Sequence, residues 1–122
     1  MLTTEEKTQA VVAALEEIKA NDITVIDTSK LSSMFERMII ASANSTRQTK
    51  ALADNVVIKL KERGEQIYGR EGEDSGEWIL VDLGEVLVHV MQPAIRDYYN
   101  LEVLWSKAQA ARPKLAPEPK QS

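Results

Sequence analysis

Few side chains in this protein are suited to chemistry, and their spacing decides how much each one means. His89 is the single histidine among 122 residues, and cysteine is absent. The histidine stands inside the run Val86-Leu87-Val88-His89-Val90. A histidine can act as a general base or a metal ligand, but one alone in a valine-rich stretch reads first as a structural residue. Zinc sites are built from several histidines and thiolates, and that donor set is missing. Glu71, Glu73 and Asp74 form an acidic cluster without the spacing of a calcium loop, which reads as a solvated turn. Asp22 with Asp27, and Asp82 with Glu85, are candidate acid–base pairs. A chain with 19 aspartates and glutamates contains such pairs by chance. Gly69, Gly72 and Gly76 are not followed by Gly-Lys-Ser/Thr and a helix, so they do not make a phosphate loop. No serine sits in a nucleophile elbow. The residues give no positive support for an enzyme, and the expectation is a protein without catalytic residues, cofactor or metal.

The rest of the composition narrows the class. The length suits one domain, large enough to fold without staples. The lack of cysteine fits a reducing compartment. No apolar run approaches the ~20 residues of a membrane span, and the polar start from Met1 to Lys7 does not read as a secretory signal. The expected location is the cytoplasm. The formal net charge is −4. Binding through phosphates needs a basic face, so the acidity argues against nucleic acid as the main partner. It fits a basic protein partner, whose opposite field would steer encounter. Solubility is the alternative reason for such a charge.

These side chains must be positioned by elements that periodicity makes visible. Thr3 and Glu6 have the spacing of a capping box, and Val11, Val12, Leu15 and Ile18 follow at helical spacing, predicting a helix from Thr4 to about Ala20. Ile23 to Thr28 reads as a strand, Ser29 to Met34 as a polar connection, and Phe35 to Ser42 as a central strand with apolar residues on both faces. Asn44 or Ser45 can cap a second helix with an apolar face of Ala51, Leu52, Val56, Val57, Ile58 and Leu60, ended by Gly64. Ile67-Tyr68 predicts a short third strand, and Gly69 to Gly76 an exposed turn. Trp78 to Asp82 and Val86 to Met91 predict a hairpin around Leu83-Gly84-Glu85. Pro93 fits the start of a last short helix reaching about Asn100. Beyond Ser106, Pro113, Pro117 and Pro119 among Lys, Ala and Glu predict a disordered tail, giving a domain over 1–105 and a tail over 106–122.

The resulting fold class is α/β, a single domain with a mixed five-stranded sheet and helices packed mainly on one side. Two long helices cannot cover both faces of such a sheet, so one face should stay partly open. Strand alternation places Ile79 and Val81 with Val86, Val88 and Val90 on the covered side. It places Trp78, Leu80 and Asp82 with Leu87, His89 and Met91 on the other, where a mixed apolar surface reads as a binding site.

Two stretches resemble the ribosomal silencing factor family, also called Iojap-like. The first runs from Lys19-Ala-Asn-Asp-Ile-Thr-Val-Ile-Asp27 through Ser32-Ser33, Ile39-Ile40 and Ser45-Thr-Arg-Gln48 to Ala53-Asp54. The second runs from Glu71-Gly72 through Trp78-Ile-Leu-Val-Asp-Leu-Gly84 and Val88-His89-Val90 to Arg96-Asp-Tyr-Tyr-Asn-Leu-Glu-Val-Leu-Trp105. Together they cover Thr3 to Trp105 in one collinear order. The resemblance implies a nucleotidyltransferase-like fold without the catalytic motif, and no Gly-Ser followed by Asp-x-Asp occurs here. It implies binding to the large ribosomal subunit through its protein fourteen at the inter-subunit face. Such binding would sterically block joining of the small subunit and so repress translation, with little direct nucleic-acid contact and no membrane. The family's interface residues match Trp78, Leu83 and Tyr99, and Asp82 and His89 lie in the same motif. The chain departs from the family near Ala43, where a glycine is usual, and at Glu36, where an aspartate is usual. The competing readings are a nucleotidyltransferase-like enzyme or nucleotide binder, and a dimeric adaptor with a non-ribosomal partner. A homodimer of the free protein is open under either binding reading.

Overall fold

The computed structural model describes residues 2–105, so the tail expected over 106–122 lies outside the described residues. The elements follow one another as α1 (Thr4–Glu17), β1 (Asn21–Asp27), β2 (Arg37–Ser42), α2 (Thr46–Glu62), β3 (Gly69–Glu71), β4 (Trp78–Asp82), β5 (Val86–Met91) and α3 (Pro93–Tyr99). A further helical turn covers 101–105. The strands form one sheet in the order β1-β2-β5-β4-β3. The β2–β5 pair is parallel and the other pairs are antiparallel, so the sheet is mixed, as expected.

Local chemistry accounts for the element ends. The Thr3 hydroxyl accepts from the Glu6 backbone N–H, and the Glu6 carboxylate accepts from the Thr3 N–H, completing the capping box. α1 stops at Glu17, earlier than the expected Ala20, with Ile18 as its C-cap. Lys19 then turns through positive φ, and β1 begins at Asn21, two residues before the expected start. Asn21 pairs with Ser42, and the strand's irregularity appears as a register shift before Thr24. Ser45 caps α2 by accepting from the Gln48 N–H, and Gly64 follows its C-cap at φ 84°.

The third strand is the main correction. It falls on Gly69–Glu71, not on Ile67-Tyr68, and the expected turn is shortened accordingly. Gly69, Arg70 and Glu71 pair with Asp82, Val81 and Leu80. Tertiary pairing with β4 overrides the weak strand propensity of Gly-Arg-Glu.

Alternation divides the core as expected. Val11 and Leu15 of α1 and Leu52, Val56 and Leu60 of α2 pack on Ile39, Ala41, Ile79, Val81, Val86, Val88 and Val90, all fully buried. Each such aliphatic side chain contributes about 1.5–3 kcal/mol by leaving water. The second face has a smaller core of its own. Ile26, Met38, Ile40 and Met91 are buried there beneath Phe35, Trp78, Ile95, Leu101 and Trp105. Phe35 and Trp105 meet edge to face at 5.6 Å. This face is thus capped at its β1–β2 side and open toward β4 and β3.

Candidate functional site

The open part of the second face is built around Trp78. The residue begins β4, pairs with Met91 and is half-buried. Its ring lies 4.8 Å from that of Tyr99, centroid to centroid, at 50°. Tyr99 ends α3 with 49% of its surface exposed, and Tyr98 beside it packs edge-on at 5.0 Å. The indole Nε1–H donates to Nδ1 of His89 at 2.9 Å. His89 pairs with Leu80 across the hairpin and is 7% exposed. Burial disfavours its charged form and pulls its pKa from the ordinary value near 6.5 to about 4. The indole N–H can only donate, so the accepting Nδ1 carries no proton and the neutral ring holds its proton on Nε2. That Nε2 is buried and has no partner among the described residues.

Trp78, Leu80 and His89, with Glu71 and Gly72, line a cleft of about 230 Å³. Gly72 is required at its wall: it sits at φ 93°, and a Cβ there would come within 2.0 Å of the Trp78 carbonyl oxygen. The loop beyond Gly72 is fastened to α2. The buried Thr49 hydroxyl donates to the Gly76 carbonyl at 2.6 Å, and the Gln92 amide donates to the same oxygen at 3.2 Å. Arg70 pairs with Asp54 and Glu73. Glu71 lines the cleft, and Glu73, Asp74 and Glu77 are exposed on the acidic loop that follows it.

Three of the five expected site residues, Trp78, Tyr99 and His89, come together. Asp82 lies at the opposite end of β4 from Trp78, paired with Leu87, and is partly exposed; its carboxylate accepts from the Gly84 N–H at 2.9 Å and shapes the β4–β5 turn. Leu83 is placed otherwise than expected. Its side chain is fully buried in the core under the long helices, and its N–H donates to the Val86 carbonyl. It shares the parity of Ile79 and Val81, so the strand that turns Trp78 outward turns Leu83 inward.

Two supporting groups were not singled out from the sequence. Lys7 of α1 is buried beneath the β4–β5 turn, where its ammonium donates to the Leu83 carbonyl and to Glu85 at 3.1 Å and pairs with Glu65 at 3.1 Å. Burial opposes that charge, but the hydrogen bonds to Glu65 and Glu85 outweigh it and raise the Lys7 pKa. Arg96 of α3 is 8% exposed and donates twice to Glu102, and also to Ser42 and Thr24. It ties α3, and with it Tyr99, to β1 and β2. Nothing in the spacing marks these pairs, since Lys7 is 58 residues from Glu65.

Among the described residues, no group of three His, Cys, Asp or Glu side chains stands close enough to hold a metal ion, and no helix is long and apolar enough to cross a membrane. Fold and site together define a class: a mixed α/β sheet domain with paired aromatics beside a cleft.

Comparison with known proteins says of what kind. The sequence model of the family described as ribosomal silencing factor during starvation matches residues 2–122. The ribosomal silencing factor of Chromobacterium violaceum is 57% identical over 101 residues, covering 83% of each chain. A crystal structure of a protein from the same organism superposes with a TM-score of 0.85 at 55% identity, covering 86% of this chain and 88% of its own. The mouse protein named mitochondrial assembly of ribosomal large subunit protein 1 is 34% identical over 98 residues, 78% of this chain and 43% of its own. The chain belongs to the ribosomal silencing factor family, whose members regulate translation in association with the ribosome.

Proposed function

We propose that this protein is a non-enzymatic repressor of translation that acts in the cytoplasm. It docks on the large ribosomal subunit through protein fourteen at the inter-subunit face, and its bulk keeps the small subunit from joining. The observation that carries this reading is the Trp78–Tyr99 pair, whose rings meet at 4.8 Å and 50° with Tyr99 half-exposed. Aromatic anchors of this kind supply most of the energy of a protein interface, and the exposed acidic loop before Trp78 suits a basic protein surface. Asp82 and Leu83 serve through the β4–β5 turn, the first by capping it and the second by anchoring its backbone from within. The name of the mouse relative, which refers to the ribosomal large subunit, is consistent with this partner. The mechanism is mutual exclusion and requires no bond to be made or broken in the partner.

The test is cosedimentation with purified large and small subunits. The protein should pellet with the large subunit alone. Trp78→Ala and Tyr99→Ala should each weaken that binding by roughly thirty- to a thousandfold, the effect of ~2–4 kcal/mol at a hot spot. Equal binding to both subunits, or wild-type affinity in folded samples of both variants, would overturn the assignment.

A further inference from the structure

We infer that Arg96 is a positioning residue for docking: it holds α3 so that Tyr99 is presented against Trp78, and it does not touch the partner itself. The inference rests on the docking reading above and names the group that sets the geometry of that surface. α3 has only seven residues, Pro93–Tyr99, and a helix that short does not persist in water unaided. Tyr98 at its end is exposed and Tyr99 half-exposed, so neither does much to fasten it. Its one fully buried side chain is Arg96, and Ile95 is only partly buried against Met38, Ile40 and Met91. The helix that carries the anchor is therefore held chiefly by a guanidinium.

That guanidinium bonds in three directions at once. Nε and Nη2 donate to the two carboxylate oxygens of Glu102 at 3.0 and 2.7 Å. Nη1 donates to Ser42 of β2 at 2.7 Å, and Nη2 donates also to Thr24 of β1 at 3.1 Å. Glu102 lies beyond the end of α3, where Asn100 turns the chain through φ 49°. The two-pronged bond thus spans the bend and fixes the angle between α3 and 101–105, while Thr24 and Ser42 fix both on the sheet. Tyr99 is the last residue before the bend, so the direction of its ring follows from that angle. A planar fork sets direction in a way that a point charge does not. For stability alone, apolar residues of like volume often do as well as a buried ion pair; they cannot supply the direction. At 8% exposed, Arg96 offers a partner almost nothing to touch.

Cosedimentation with purified large subunits should compare wild type, Arg96→Lys, Tyr99→Ala and the two changes together. Lysine keeps the charge and loses the fork. Arg96→Lys should bind about three- to tenfold more weakly, because α3 must then be ordered during docking. Added to Tyr99→Ala, it should weaken binding no further, since the side chain it positions is gone. Wild-type affinity in Arg96→Lys overturns the inference. So does an equal loss with and without Tyr99, which would mean that Arg96 acts on the partner or on the fold as a whole. In both cases the docking reading survives if Tyr99→Ala alone weakens binding; if it does not, that reading falls and the inference with it. Nuclear magnetic resonance of the free protein gives a readout that a general loss of stability would not move. Cross-peaks between the rings of Trp78 and Tyr99 should weaken in Arg96→Lys, while those of the core around Leu52 and Val88 keep their wild-type intensity. Ring cross-peaks unchanged from wild type overturn the proposal. If Arg96→Lys does not fold, Arg96→Met combined with Glu102→Met replaces the whole pair by apolar side chains and takes its place in every comparison.

Discussion

The two faces of the sheet are made by the same strands but from different materials. Beneath α1 and α2, β2, β4 and β5 contribute Ile39, Ala41, Ile79, Val81, Val86, Val88 and Val90, an aliphatic layer with no exposed surface. On the other face the same strands contribute Met38, Ile40, Met91, His89 and Trp78, and α3 adds the buried Arg96. The first face gains stability from shape and burial, which are non-directional. The second holds its parts through directional bonds: indole to imidazole, guanidinium to Glu102, Thr24 and Ser42. Directional bonds fix the aromatic rings in one geometry. The difference separates a face held by shape from one held by directional bonds, and the second carries the aromatics proposed to dock.

If that separation is right, the largest effect on folding should come from the helical face. Leu52 of α2 is fully buried among the valines. Leu52→Ala should cost ~2–5 kcal/mol and lower Tm by more than about 10 °C for a domain of this size. The affinity of the folded fraction for large subunits should not change. Calorimetry with cosedimentation on the same sample checks both halves. Reduced affinity in the folded fraction would mean that the two faces are coupled through the sheet.

The helical face was also the more legible one. Periodicity over Val11 to Leu15 and Leu52 to Leu60, and alternation in the β4–β5 hairpin, report apolar burial directly. The second face is harder to read because its contacts join distant positions. Arg96 meets Thr24 across 72 residues, and Lys7 meets Leu83 across 76. Alternation did pick out Trp78, His89 and Met91 as one surface, yet could not say that α3 and 101–105 cover its β1–β2 side. Tyr99 was found only by family resemblance, since a tyrosine at the end of a short helix has no periodic signature. Leu83 was also named by resemblance, and its parity with Ile79 and Val81 already turned its side chain inward. The third strand was misplaced because Gly69–Glu71 becomes a strand through β4 and not by its own propensity.

A smaller effect should come from acid, and it should belong to the second face. His89 takes up a proton near pH 4 when folded and near 6.5 when unfolded. Between these values the unfolded chain binds more protons, so stability rises with pH across the window. Acidifying from pH 7 toward 4 should therefore remove stability, with about 3 kcal/mol as the full difference. The neighbouring carboxylates work lower. Glu102, held down by its bond from Arg96 against the opposing effect of burial, loses its contribution only as pH falls below the ordinary carboxylate range. Urea unfolding between pH 5 and 6.5 thus isolates the histidine. His89→Gln should flatten the slope there, whereas a slope that persists would assign the acid sensitivity to groups outside this face.

The smallest expected effect on folding is also the sharpest test of the comparison. Tyr99 is half-exposed, and its described ring contacts are Trp78 at 4.8 Å and Tyr98 at 5.0 Å. Truncation to alanine removes aromatic pairing of ~0.5–1.5 kcal/mol and opens no enclosed cavity, so Tm should fall by only a few degrees. The same truncation should cost ~2–4 kcal/mol in binding to the large subunit. Leu52→Ala and Tyr99→Ala should therefore move folding and binding in opposite proportion. A cycle pairing Trp78→Ala with Tyr99→Ala refines the point. If the two rings act as one anchor, the double variant should bind only slightly worse than either single one, because the second truncation removes what the first already broke. Full additivity would mean that each ring meets the partner separately, and the stacking would then be incidental to docking.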